Sequence, residues 1–80
     1  MDLDRGRPVW PQVADELRRR IEAGTYAAGD RFPAVVELAA EFDVAASTVQ
    51  KAVAALRAEG KLRTVLGQGS FVADLPAKGA

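Results

Sequence analysis

The sequence contains no cysteine and no histidine. Without cysteine, the chain has neither a disulfide framework nor a thiolate metal site. Without histidine, it lacks the side chain that most often serves as a general base and as a metal ligand. No acidic pair faces a nucleophile in a pattern that suits catalysis. We therefore expect a protein that is not an enzyme and that has no metal ion, no cofactor and no effector-binding site.

Long apolar runs are also missing from the sequence. No stretch approaches the roughly 20 apolar residues of a membrane span, and the N-terminus lacks the apolar core of a signal peptide. This favours a cytoplasmic protein with no membrane partner. The chain has 80 residues, of which 49% are hydrophobic, and this predicts one small globular domain with a marginal core.

A net charge is missing as well, because 11 basic residues balance 11 acidic ones. Nucleic-acid-binding proteins are usually more basic than this. The charges are nevertheless unevenly distributed: residues 1–43 carry a net charge of −3, residues 44–73 carry +3, and residues 74–80 carry none. Such asymmetry is typical of a protein with one side facing a polyanion, although a difference of this size also arises by chance.

Hydrophobic periodicity predicts the first two helices. Apolar residues recur at helical spacing between Trp10 and Ile21, and Gly24 suits the end of this first helix. Pro33 then opens a second helix, which a tight turn at Asp43 ends, because aspartate tolerates the left-handed conformation better than most residues. The core candidates of the second helix are Val36, Leu38, Ala39 and Phe42.

A third helix is predicted over residues 46–59, ending at Gly60. Its inward face consists of Val49, Ala52, Val53 and Leu56. Residues 61–73 have the pattern of two short strands around a "GQG" turn, and a minimal strand is expected around residues 31–32. This order of elements predicts a mainly α fold with a small β-hairpin, a winged helix-turn-helix of three helices plus a wing.

Four stretches of the sequence carry a resemblance to a known family. They are "QVADELRRRIEAGTYAAGDRFP", "ELAAEFDV", "TVQKAVAALRAEGKL" and "GQGSFVA". In this order and spacing, the chain resembles the winged-helix DNA-binding domain of the GntR family of bacterial transcription regulators. Each stretch alone is only weakly specific for the family, but the four together are strongly specific. The resemblance covers residues 9–73, and we expect a loose N-terminal arm over residues 1–8 and a loose tail over residues 74–80.

The resemblance implies a surface for double-stranded DNA. In that family the third helix, here 46–59, enters the major groove, and the wing, here 66–70, lies at the minor groove. Glutamine can pair with adenine, threonine can contact bases or a thymine methyl, and lysine serves phosphate or guanine. The residues that the resemblance assigns to DNA are Ser47, Thr48, Gln50, Lys51, Arg63, Gln68, Gly69 and Ser70.

Several positions depart from the family pattern. The second helix usually opens with Pro-Ser-Glu-Arg, but residues 33–36 are "PAVV" here. The serine that usually begins the third helix is replaced by Ala45, and Gln50 replaces an arginine. The strand before the wing has Thr64 and Val65 where the family carries consecutive basic residues. Because each lost basic residue removes a phosphate contact, we expect a thin DNA footprint.

Three features of the sequence that could belong to a binding site also have a purely structural interpretation. The spacing of Ser47 and Gln50 fits a capping box, in which Gln50 would bond the start of its own helix instead of a base. The three arginines at 18–20 are expected to form a solvated helix face with acidic neighbours on the same helix, rather than a nucleic-acid patch. Trp10 is expected to be a core or packing residue.

The leading hypothesis is a sequence-specific DNA-binding transcription regulator, most simply a repressor that acts by occupying its site. A homodimer on a two-fold symmetric site is the common arrangement for helix-turn-helix proteins. The C-terminal domain with which GntR regulators bind small-molecule effectors is expected to be absent from these 80 residues. The alternative is a winged helix repurposed as a protein–protein interaction module with weak DNA binding, which the zero net charge and the Val35–Val36 pair favour.

Overall fold

The computed structural model of the chain describes residues 3–73. It contains helices α1 (Trp10–Glu22), α2 (Val35–Phe42) and α3 (Ala46–Ala58), followed by strands β1 (Leu62–Val65) and β2 (Gly69–Val72). The prediction of three helices plus a hairpin is confirmed. None of the helices in this range is long and apolar enough to cross a membrane. The predicted tail, residues 74–80, lies outside the described residues.

The core lies between the three helices and the inner face of the hairpin. α3 is its central element, because it packs against α1, α2 and β1 along one continuous apolar face. All four residues predicted for that inward face are buried, which confirms the prediction. The buried residues are Val13, Ala14, Leu17, Phe32, Leu38, Phe42, Val49, Ala52, Val53, Leu56, Leu62 and Val72.

One core prediction for α2 is wrong. Val36 is 70% exposed, whereas Val35 is half-buried and packs against the core. The inward stripe of α2 consists of Val35, Leu38 and Phe42, which recur at helical spacing. Val36 is turned by about 100° from that stripe and therefore faces solvent.

The turn between α2 and α3 is set by one left-handed residue, as predicted. Asp43 has φ of 55° and ψ of 53°. The amide of Val44 donates to the carbonyl of Ala39 at 3.0 Å, and the amide of Asp43 donates to Ala40 at 3.3 Å. These two bonds form a Schellman motif, which satisfies the last carbonyls of α2. The chain can therefore enter α3 after only three residues.

The hairpin is joined to the connector between α1 and α2. β1 and β2 pair antiparallel, with Leu62 opposite Val72 and Val65 opposite Gly69. The predicted minimal strand is present as a single bridge between Arg31 and Phe71. The Phe32 amide donates to the Ser70 carbonyl at 2.9 Å, and the Val72 amide donates to the Asp30 carbonyl at 2.8 Å. The connector therefore fixes the position of the wing relative to the helices.

The N-terminal segment contacts the domain through polar bonds. The Gln12 amide group receives a hydrogen bond from the Asp4 amide at 2.7 Å and donates to the Asp4 carbonyl at 2.8 Å. The Arg5 guanidinium donates to the carbonyl of Phe42 at 3.1 Å. Trp10, the first residue of α1, is 37% exposed and is not one of the buried core residues, so of the expected core or packing role only the packing role remains. The division into arm, domain and tail stays a prediction.

Candidate nucleic-acid interface

The outward face of α3 carries the polar residues that the sequence singled out. Ser47, Gln50 and Lys51 are exposed, and Thr48 is half-buried beside them. They lie opposite the apolar stripe that begins at Val49, which holds the helix on the core. α3 thus presents a short polar face in its first two turns, and this face makes no side-chain hydrogen bond to the other residues of the 3–73 range.

The capping-box interpretation of this face is wrong. The N-cap of α3 is Ala45, with φ of −67° and ψ of 149°, and its carbonyl accepts from the amide of Thr48 at 3.0 Å. Ser47 and Gln50 are therefore the second and fifth residues of the helix, not its cap and third residue. The start is fixed by the turn after α2, which places Ala45 where a capping serine would stand. Gln50 is free to point into solvent.

The wing places its polar tip at the end of the hairpin. Gln68 and Gly69 are exposed, Ser70 is half-buried, and Arg63 is exposed on β1. Gly69 has φ of 101°, a conformation that L-residues with a side chain rarely adopt. Gln68, Gly69 and Ser70 therefore lie at or next to the turn, whereas Arg63 pairs with Phe71 nearer the base of the hairpin.

Sequence reasoning missed Arg31, which also lies at the wing. A Cβ built on Gly69 would come within 3.7 Å of the Arg31 Nη2 atom, so the guanidinium lies beside the wing backbone. The residue is exposed. The sequence could have indicated this position, because the strand expected at residues 31–32 pairs with β2 and so brings Arg31 next to the hairpin.

A second guanidinium reaches β1 from α3. Arg57 Nη1 donates to Thr64 Oγ1 at 2.8 Å. Thr64 occupies a position where the family pattern has a basic residue, and Arg57 brings positive charge to that position from a neighbouring element. The basic character of this strand is therefore partly retained, although the sequence of the strand alone indicates that it is lost.

The arginines of α1 bind carboxylates, as predicted, but the prediction of a solvated face holds only for Arg19, since the side chains of Arg18 and Arg20 are 27% and 17% exposed. Arg18 binds Asp15 at 2.6 Å and Glu59 at 2.6 Å, and Arg19 binds Glu16 at 2.7 Å. Arg20 binds Glu16 at 2.9 Å. Hydrogen bonds from Arg19 and then Arg20 lower the pKa of Glu16 from 4.5 to about 2.

Arg20 also joins three elements of the fold. It binds Glu41 of α2, donates to the Tyr26 hydroxyl at 3.1 Å, and lies 5.2 Å from the centre of the Phe42 ring. The hydrogen bond to Glu41 is the main cause that raises the pKa of Arg20. This arginine stays charged and is committed to holding α1, the connector and α2 together.

The remaining cations are concentrated away from the outer face of α1. Among residues 3–73, four basic side chains form ion pairs: Arg18, Arg19, Arg20 and Lys61. Six others in the same range form none: Arg5, Arg7, Arg31, Lys51, Arg57 and Arg63. Four of these six belong to the connector, α3 and the wing. Most of the basic side chains without an ion pair in this range therefore belong to the elements that carry the polar α3 face and the wing, or to the connector paired with the wing.

The family model described as "Bacterial regulatory proteins, gntR family" matches residues 11–72. This match spans α1 to β2. The chain belongs to the gntR family. Its helices, turn and wing are those of a GntR winged helix-turn-helix domain, as the resemblance predicted.

Relatives and solved structures agree with this assignment. The chain is 43% identical over 67 residues to an uncharacterised HTH-type transcriptional regulator of Rhizobium meliloti (strain 1021), covering 84% of this chain and 28% of the relative. It is 33% identical over 67 residues to the histidine utilization repressor of Klebsiella aerogenes, covering 84% of this chain and 28% of the relative. The chain thus spans little more than a quarter of the length of these regulators.

Two solved structures share the fold. A GntR family transcriptional regulator from Listeria monocytogenes matches with a TM-score of 0.86 and 33% identity, over 91% of this chain and 64% of that one. The DNA-binding domain of AraR in complex with operator ORR3 matches with a TM-score of 0.76 and 34% identity, over 80% of this chain and 77% of that one. The second structure is a winged helix bound to an operator.

Proposed function

We propose that this GntR-family chain is a sequence-specific DNA-binding transcription regulator, a repressor that acts by occupying its operator. The observation that carries the proposal is the polar face of α3, which is exposed; α3, the connector and the hairpin also hold four of the six basic side chains that form no ion pair within residues 3–73. The AraR domain bound to its operator and the repressor among the relatives support it. The mechanism needs no catalysis, and it places the chain in the cytoplasm with the DNA.

In this mechanism α3 enters the major groove. Gln50 and Thr48 contact base edges, since glutamine can make two hydrogen bonds to adenine. Ser47 and Lys51 contact phosphate, aided by the amide groups at the helix N-terminus. Because Gln50 is not held by a capping bond, its amide is available for the base contact.

The wing lies at the minor groove and adjoining phosphates. Gly69 lets the wing backbone approach the DNA closely, and Gln68 and Ser70 offer polar groups to the groove. Arg63 and Arg31 flank this tip and neutralise phosphates on either side of the groove. Two copies bound to a two-fold symmetric operator would place their α3 helices about 34 Å apart, one helical turn of DNA.

The test is selection of the 80-residue chain on randomised duplexes, followed by titration of the selected duplex and a scrambled one at two salt concentrations. We expect one enriched motif and a clear difference in affinity between the two duplexes. Equal, weak binding to both duplexes contradicts the proposal.

Two neighbouring variants separate the roles within α3. Gln50→Ala is expected to relax discrimination at one base pair by about 1–3 kcal/mol. Lys51→Ala is expected to weaken binding to every duplex alike and to reduce the slope of log K against log salt by about 0.9 per chain. Both residues are exposed, so both variants keep the fold, and the two therefore serve as controls for each other. Identical effects of the two variants on base preference would contradict the assigned roles.

The alternative of a protein-interaction module has less support. Such a surface normally needs a contiguous apolar patch. The large hydrophobic residues exposed within residues 3–73 are Trp10, Val36 and Leu66, and they stand on three separate elements.

A further inference from the structure

Leu66 stands at the outermost point of the wing. It is 97% exposed, more than any other large hydrophobic residue in the described range. It occupies the first corner of the turn between β1 and β2, in which the Gln68 amide donates to the Val65 carbonyl at 2.9 Å. Gly67 follows with φ of 80°, the value that the third position of a type II turn requires. The turn therefore holds the leucine out in water instead of folding it onto the sheet.

The surroundings of Leu66 are polar and positively charged. Gln68 shares the tip with it, and Leu66 is followed by Gly67 and Gly69, which have no side chains, while the preceding Val65 is half-buried. The Arg31 guanidinium lies beside Gly69, and Arg63 is exposed on β1 opposite Phe71; neither arginine is ion-paired within residues 3–73. A single leucine in such a setting is too small for an apolar protein interface, but it suits an apolar surface enclosed by anions.

We propose that Leu66 is an apolar wedge, which enters the minor groove and partly unstacks one base-pair step, so that the operator is kinked. This proposal rests on the proposed function. The faces of stacked bases are an apolar surface enclosed by phosphates, and leucine is one of the side chains that architectural proteins insert between them. Arg63 and Arg31 hold the phosphates on either side, and Gln68 bonds the groove edge.

The wedge adds sequence preference without a hydrogen bond to a base. Pyrimidine–purine steps unstack most easily, so the operator should carry such a step under the wing. The contribution of Leu66 to affinity is independent of salt, because leucine releases no counterion from the DNA. Removing Arg63 or Arg31 should instead flatten the salt dependence of DNA binding. Salt titration therefore distinguishes the contribution of the leucine from that of the two arginines.

The test compares Leu66→Gln with Leu66→Met on a duplex that the unaltered chain selects from a random pool. Glutamine and methionine side chains have nearly the same length and shape, and they differ in polarity. Because Leu66 makes no core contact, both variants should melt at the same temperature as the unaltered chain. DNA bending is measured by energy transfer between dyes at the two duplex ends, and unstacking by the fluorescence of 2-aminopurine placed at the step under the wing.

The unaltered chain and Leu66→Met are expected to bend the duplex by about 20° or more and to raise the 2-aminopurine signal. Leu66→Gln is expected to lose both signals and to bind about tenfold more weakly, by the same factor at low and at high salt, as for the lost burial of one leucine. If Leu66→Gln binds and bends the selected duplex as the unaltered chain does, the wedge proposal is wrong, but the proposed function stands. Failure of the unaltered chain to select any duplex overturns the proposed function, and the wedge with it.

Discussion

Restoring a serine at the start of α2 is expected to stabilise the protein measurably. Ala34 is the N-cap of α2, with φ of −67° and ψ of 153°, the extended geometry from which a serine hydroxyl accepts an amide of the first turn. Glu37 already makes the reverse contact, since its Oε1 atom accepts from the Ala34 amide at 3.0 Å. Ala34→Ser therefore completes a capping box of which one half exists.

The expected gain in the free energy of unfolding is about 1 kcal/mol, the usual difference between serine and alanine at an N-cap. For a domain of this size, such a gain raises the melting temperature by roughly 4–8 °C. Urea titration should show a higher midpoint with an unchanged slope, because the surface exposed on unfolding does not change.

The matched control is Ala40→Ser, the same substitution at an exposed interior position of α2. No orphan amide is available there, so only the lower helix propensity of serine acts, and stability should fall by about 0.5 kcal/mol. The two variants are thus expected to shift the midpoint in opposite directions. A fall in stability for Ala34→Ser, or equal shifts for both variants, would refute the capping argument.

Two further predictions concern charge and backbone conformation. Arg19 and Arg20 hold the pKa of Glu16 at about 2 instead of 4.5, so this carboxylate stabilises the fold above pH 4.5 and loses that effect as the pH falls toward 2. Glu16→Gln should therefore cost about 1 kcal/mol at pH 7 and flatten the pH dependence of unfolding between those values, as urea titrations at several pH values can measure. Because Asp43 has φ of 55°, Asp43→Gly should be more stable than Asp43→Ala by about 1 kcal/mol in the same titration, and equal stabilities would contradict a left-handed turn.

The parts of the fold that follow from local rules were predictable from the sequence. The inward face of α3 follows from helical periodicity, and the left-handed Asp43 follows from the side-chain chemistry of aspartate. Burial on α2 also follows from helical periodicity, and the choice of Val36 ignored it. At about 100° per residue, Val35 lies within about 60° of both Leu38 and Phe42, whereas Val36 lies more than about 100° from each.

The candidate site was predictable only where its residues are close in the sequence. The α3 residues lie within two turns of one helix, and the wing residues lie on one hairpin. Arg31 reaches Gly69 across the pairing of the connector with β2, and Arg57 reaches Thr64 across the packing of α3 on β1. Such contacts depend on tertiary geometry, which a residue pattern does not contain. Tertiary geometry also excludes the capping box at Ser47, although the spacing of Ser47 and Gln50 in the sequence fits one.

The zero net charge of this gntR-family chain does not oppose a DNA-binding role, because net charge ignores which charges are already paired. The carboxylates of α1 face the arginines of the same helix, and these ion pairs cancel locally. Within the part of the chain that the structure describes, basic side chains of α3, the connector and the hairpin form no ion pair and are available to phosphate. The zero total therefore predicts weak long-range attraction between the whole protein and DNA, while these side chains predict local phosphate contacts. Affinity in such a protein must depend more on base contacts and shape than on charge, which makes Gln50 and Leu66 the residues whose substitution tells most about how it finds its operator.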